Sequence, residues 1–294
     1  MRKEHEFTFK FVSKYIHRKV QRNLYEILMD DYDGFVVGSD QIWREHHYRP
    51  IENAYLDFTV GYDVKRIAYA ASFGTDKWEY SKNQTENCSS LLKNFVFVGV
   101  REKSGVDLCK KHFGREAVHV LDPTLLLRSN DYINNLEIKS VPQSKGDFLV
   151  YILDMTEEKQ KIVDYIAKKY NLTPFYVNSK CDDKRCALKE RIQPPVENWL
   201  RGFYDAKYVF TDSFHACAFA INFNTPFWVF GNKERGMSRF ESLLASFHLR
   251  NRLIGGLNEI IQCEISDIDW EKVNLQLSIE RKKSISCLSD SLNK

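Results

Sequence analysis

The 294 residues carry 43 Lys and Arg against 40 Asp and Glu, a net charge of +3, with 43% apolar and 28% charged residues. This balance argues against a dedicated nucleic-acid surface, and no run reaches the roughly 18 apolar residues that span a bilayer. The length predicts about two domains, each large enough for its own core. Seven cysteines without paired spacing fit a reducing compartment better than a disulfide framework. Cys181 and Cys186 lack the second ligand pair that a structural zinc site normally has, so no metal site is expected. The start, Met1-Arg2-Lys3-Glu4-His5-Glu6, leads into mixed charge rather than an apolar signal core, and a cytoplasmic protein is expected.

In chain order, the spacing of Phe11, Tyr15, Val20, Leu24 and Leu28 predicts a helix over 10–29. Strands are predicted at Phe35, Ile67 and Phe95, then a helix over 104–113 with Ser104 as N-cap and Gly114 as stop. A short strand over 117–121 closes at Asp122-Pro123. Between Arg128 and Asp147 the apolar runs give way to Ser, Asn, Lys, Pro and Gly, which marks a domain boundary. The predicted domains are therefore 1–135 and 136–294.

Beyond the boundary, strands are predicted over 148–153, 175–177, 208–211 and 226–230. Helices are predicted over 157–170, 195–204, 215–222, 239–247 and 270–292. Alternating strands and helices imply an α/β fold with parallel sheets, helices covering both faces.

Four of the strands share one layout, an apolar run breaking into a small polar loop. They are Phe35 to Asp40, Arg66 to Gly74, Phe95 to Glu102 and Tyr208 to His215. Ligands of open parallel sheets bind beyond the carboxyl ends of the strands, so these loops are expected to face one cleft. His215 would start a helix capped by Asp212 or Ser213, where an anionic ligand is favoured and a histidine can do acid or base work. A histidine there can also be simply hydrogen-bonded within the fold. Arg101 can grip a phosphate or carboxylate in bidentate fashion, or serve in an ion pair with Glu102 or in a surface ion pair between domains. Ser39, Asp40 and Trp43 combine a hydroxyl, a carboxylate and an aromatic ring that suit a sugar, although Ser39 or Asp40 could equally cap a helix. Ser72 belongs to a similar, plainer loop. No phosphate-binding Walker pattern and no Gly-x-Gly-x-x-Gly fingerprint is present.

Six blocks in order resemble the polysaccharide pyruvyl transferase family. They are Val37 to Trp43, Tyr69 to Gly74, Val100-Arg101-Glu102, Val120 to Thr124, Thr211 to His215 and Ser238 to Leu244. The resemblance implies two Rossmann-like domains facing a cleft, as in GT-B glycosyltransferases. It also implies an enzyme that moves pyruvate from phosphoenolpyruvate to a sugar as a cyclic ketal, with no cofactor. His215 and Arg101 match the family's catalytic histidine and its first-domain arginine. The family's second donor-gripping arginine is replaced by Ser213, which leaves Arg239, with Lys103 behind it, to supply the charge. Members begin with a strand, a Gly/Asn-rich loop and a helix ahead of the Gly-Ser-Asp block; their lack here implies a first domain shortened at its start. The expected partners are phosphoenolpyruvate and a glycan acceptor, and a lipid-linked acceptor would bring the protein to the inner membrane face. Competing expectations are a glycosyltransferase using a nucleotide sugar and a non-catalytic glycan- or partner-binding remnant.

Overall fold

A computed structural model of the chain describes residues 3–180, 183–231, 236–262 and 268–293. Met1, Arg2 and Cys181 lie outside them. The fold is mixed α/β with two parallel sheets, and the chain divides into two compact units. One unit joins residues 21–126, 232–250 and 271–294, and the other joins 1–20, 127–231 and 251–270. The change near the middle of the chain thus falls between Leu126 and Leu127, and neither unit is a continuous stretch as the division at 135/136 supposed.

In the first unit, β1 (Gly34–Val37), β2 (Lys65–Ala71), β3 (Phe97–Val100) and β4 (Val118–His119) lie in the order β1-β2-β3-β4. All three pairings are parallel, so the four carboxyl ends share one edge. The β2–β3 register shifts between Ala68 and Ala71, where Ala70 takes a φ of +54°. The irregularity sits directly ahead of Ser72, and such bulges re-aim the residues that follow. Helix Lys82–Leu92 opens with a reciprocal cap between Ser81 and Gln84. That Ser-x-x-Gln signal stands in the sequence, and reading it would have located the helix.

Helix Lys103–Leu108 starts one residue earlier than expected. Glu102, not Ser104, is its N-cap residue, and a wider turn over Cys109–Phe113 ends at Gly114 with φ +63°. The final helix, Trp270–Asn293, belongs to this unit from Glu271 onward. It buries Val273, Leu277 and Ser284, its Ser284 Oγ accepts from the Leu121 N–H at 3.0 Å, and Arg281 donates to the Leu125 carbonyl at 2.7 Å. Those ties are between side chain and backbone across 163 and 156 residues, which local periodicity cannot show.

The predicted helix over 10–29 is a shorter one, Glu6–Tyr15, followed by isolated 3₁₀ turns at Leu24–Glu26 and Met29–Asp31. Its apolar series contains a five-residue step from Tyr15 to Val20, about 140° beyond one turn, so the face does not continue. Val20 and Leu28 are exposed.

In the second unit, β5 (Phe148–Tyr151), β6 (Pro174–Phe175), β7 (Tyr208–Thr211), β8 (Phe227–Phe230) and β9 (Leu253–Ile254) form a parallel sheet. Its order is β6-β5-β7-β8-β9. The chain steps outward from β5 to β6, then returns to the other side of β5, so β5 and β7 flank a topological switch point. Helix Glu157–Tyr170 has the predicted bounds and buries Ile162, Val163 and Ile166 against the sheet.

Candidate functional site

At the carboxyl edge of the first sheet, Gly38 turns the chain out of β1 with φ +124°. A Cβ there would stand 2.0 Å from the Tyr69 carbonyl oxygen, so only glycine lets β1 pass so close to β2. The turn delivers Ser39, which is half-buried, and Asp40. Asp40 holds φ +54°, and its carbonyl accepts from the Ser72 N–H at 3.0 Å. Its carboxylate remains 61% exposed.

Arg101 follows β3 and is buried. Its Nη1 donates to Asp122 Oδ2 at 2.9 Å, its Nη2 donates to Asp40 Oδ1 at 3.1 Å, and its Nε lies 3.8 Å from Glu102 Oε1. Asp122 in turn is held by the Thr124 N–H and hydroxyl at 3.0 and 2.7 Å. The fork expected to grip a substrate anion is therefore filled by two carboxylates of the same unit. Arg101 orients Asp40 and neutralises Asp122; of the expected ion pairs, the one with Glu102 is present only at 3.8 Å, and the hydrogen-bonded partners are Asp122 and Asp40 instead.

Arg239, from helix Met237–Ser246, approaches the same carboxylate, Nη1 to Asp40 Oδ1 at 3.9 Å. Burial, and then the nearby Arg101 charge, draw its pKa down to about 10. The charge of an arriving anion would oppose both effects. Lys103 keeps an exposed side chain, while its backbone N–H donates to Ser242 Oγ at 2.9 Å. His119 places Nε2 3.1 Å from the Arg101 carbonyl and 3.3 Å from Ser242 Oγ. A carbonyl only accepts, so Nε2 carries the proton, and burial lowers the pKa of this imidazole.

Two expected ligand contacts lie in the interior instead. Trp43 is wholly buried, stacked on Tyr55 at 4.8 Å, and its indole N–H donates to the Ala54 carbonyl at 3.0 Å. With both its face and its donor taken by the core, it cannot stack on a sugar. Ser72 is also fully buried; its hydroxyl donates to Glu102 and accepts from the Gly74 N–H. Glu102 itself is buried, and loss of water raises its pKa despite the Arg101 charge.

At the carboxyl edge of the second sheet, β7 ends at Thr211, whose hydroxyl donates to the Tyr151 carbonyl at 2.7 Å. Asp212 is buried beside the switch point. It accepts from the Leu153 and Asp154 N–H groups at 2.7 and 3.2 Å and from Lys159 Nζ at 2.7 Å. Its carboxylate is thus consumed in joining the β5 and β7 loops, and a contact to substrate is replaced by a positioning role. Lys159 also donates to the Asp154 carbonyl at 2.7 Å and lies 5.1 Å from the Phe230 ring centre.

Ser213 is the N-cap of helix Phe214–Asn222, its Oγ accepting from the Ala216 N–H. That leaves His215 in the first turn, half-buried, its ring edge-on to Phe214 at 5.5 Å. Sequence reasoning missed Lys159 and His119. A lysine on the Ile162–Ile166 face of an amphipathic helix was the available signal for the first; His119 offered none.

Among the described residues, no group of three or more His, Cys, Asp or Glu could hold a metal ion, and no helix is long and apolar enough to cross a membrane. No curated protein matches the chain at a significant level. A family model described as polysaccharide pyruvyl transferase matches residues 2–234.

Proposed function

Since the chain belongs to the polysaccharide pyruvyl transferase family, we propose that it moves pyruvate from phosphoenolpyruvate onto two hydroxyls of a sugar, closing a ketal. The acceptor is a polysaccharide or its lipid-linked precursor, and the reaction is cytoplasmic, at the inner membrane face when the acceptor is lipid-linked. The observation that carries the proposal is the family match over residues 2–234, which contains Arg101, Asp40 and His215.

In this mechanism His215 gives a proton to the methylene carbon of phosphoenolpyruvate. The positive charge at the adjacent carbon is taken by one sugar hydroxyl, whose proton restores the imidazole. The second hydroxyl displaces phosphate, which leaves with the second proton. Arg239 meets the donor's anionic charge, with Lys103 as a second cation. Arg101 acts by holding Asp40, and Asp40 and Ser39 bond to acceptor hydroxyls. Positioning and charge stabilisation supply most of the acceleration, and the chemistry as written uses no metal or organic cofactor.

The test is calorimetric titration of phosphoenolpyruvate into the wild-type chain, His215→Ala and Arg239→Ala, with phosphate release measured on an acceptor panel. Wild type binds the donor, H215A binds it but turns over about 100-fold or more slowly, and R239A binds it at least about 10-fold more weakly. Binding of a nucleotide sugar in its place would turn the assignment to a glycosyltransferase. A folded chain that binds neither donor is a non-catalytic member.

A further inference from the structure

The second unit carries a cavity that none of these roles uses. It is an open hollow of about 400 Å³, within the range of small-ligand pockets, and is lined by Tyr204, Phe223, Ile133, Ser129, Asn224 and Lys207, among others. Lys207 immediately precedes β7 and Pro226, which also lines it, immediately precedes β8. The cavity therefore opens at the amino ends of these strands. His215 follows the carboxyl end of β7, a strand length of about 13 Å away at 3.3 Å per residue.

Tyr204 is 40% exposed, yet its ring is held by a neighbouring cation. The Arg201 guanidinium lies 5.2 Å from the ring centre and is itself anchored to Asp205 at 2.8 Å and to the Ile138 and Lys139 carbonyls at 3.2 and 3.1 Å. The ring is thus held by a fixed cation while it lines the cavity and keeps 40% of its surface exposed. Phe203, which also lines the cavity, is buried, and its carbonyl accepts from Thr225 Oγ1 at 3.3 Å. The polar lining residues are Ser129, Asn224 and Lys207, the ammonium of the last 3.1 Å from Asp147. Asn224, whose backbone takes a φ of +55°, adds a short side chain without a long flexible stem to the lining.

A rigid ring face beside a hydroxyl and an amide is complementary to a pyranose, which offers an apolar C–H face and an equatorial belt of hydroxyls. A phosphate or nucleotide is a poorer match, because the lining's cation is paired with Asp147. We propose that this cavity binds an uncharged sugar unit of a glycan, as a holding site separate from His215 at the carboxyl edge of the same sheet. The inference takes only the ligand's class from the proposed function. Saccharide binding is read without turnover, so failure of the donor assignment and failure of this one are separately visible.

The experiment is saturation-transfer NMR and calorimetry on the full chain with methyl glucoside, methyl galactoside, methyl mannoside, cellotriose, maltotriose and chitotriose. At least one probe binds saturably, Tyr204→Phe binds it within about 2-fold, and Tyr204→Ala binds it at least about 10-fold more weakly. Asn224→Gly, which keeps the left-handed backbone, also weakens it several-fold while thermal unfolding stays unchanged. No binding by any probe, or binding that Y204A and N224G leave intact, overturns the proposal.

Discussion

Arg101 and Asp122 meet at 2.9 Å with each side chain 1% exposed. The pair is closed off from solvent, so its partners cannot be swapped for water when one of them is lost. Arg101→Met should therefore cost about 3–5 kcal/mol, because Asp122 and Glu102 keep their burial and lose their counter-charge. Urea denaturation measures this. A loss below about 1 kcal/mol would show that water reaches the pair and that the pair is an ordinary surface one.

The Lys159–Asp212 pair lends itself to a double-mutant cycle. Each of Lys159→Met and Asp212→Asn should destabilise by about 3 kcal/mol, and the double variant by clearly less than their sum. Costs that add to within about 0.5 kcal/mol would mean the two side chains do not act on each other.

His119 sets a dependence on pH. Burial depresses its folded pKa below the value of the free side chain, so the unfolded chain takes up the proton first as pH falls. Stability from this group is full above the unfolded pKa near 6.5 and is lost as pH drops toward the folded value, with a slope of at most about 1.4 kcal/mol per pH unit. His119→Gln keeps a donor for the Arg101 carbonyl and stays neutral. Its stability curve should be flatter than wild type below about pH 6.5; parallel curves would remove His119 from the acid response.

Trp43→Ala should cost about 3–5 kcal/mol, as expected for a large aromatic core residue. At a temperature where the variant is still folded, donor and saccharide affinities should match wild type. A selective loss of saccharide binding with little loss of stability would return Trp43 to the site.

Gly38→Ala forces a Cβ toward the Tyr69 carbonyl at a φ of +124°. The expected cost is about 2 kcal/mol or more, and the variant should also lose the Asp40 geometry and with it pyruvyl transfer. Near wild-type stability together with full transfer would show that the β1–Asp40 turn is tolerant.

The sequence by itself determined the alternation of parallel strands and covering helices, because those signals are local. The Glu157–Tyr170 amphipathic face, the Gly114 stop and the strand at Tyr208 each need only a few neighbours to be read. It also determined the ordered blocks that identify the family, and the helix start that sets His215 in its first turn. Whether a polar residue in a block reaches solvent was decided only in three dimensions. Asp40 and Asp212 each stand in the loop that follows a strand, yet one carboxylate is exposed and the other is spent on Lys159 and two backbone N–H groups. Ser39 and Trp43 stand four residues apart, yet only the second enters the core. The attachment of Trp270–Asn293 to the first sheet was likewise invisible, since its partners Leu121 and Leu125 are about 160 residues distant. Burial and long-range pairing are properties of the packed chain: each depends on which surfaces meet, and no window of neighbouring residues contains both sides of the contact.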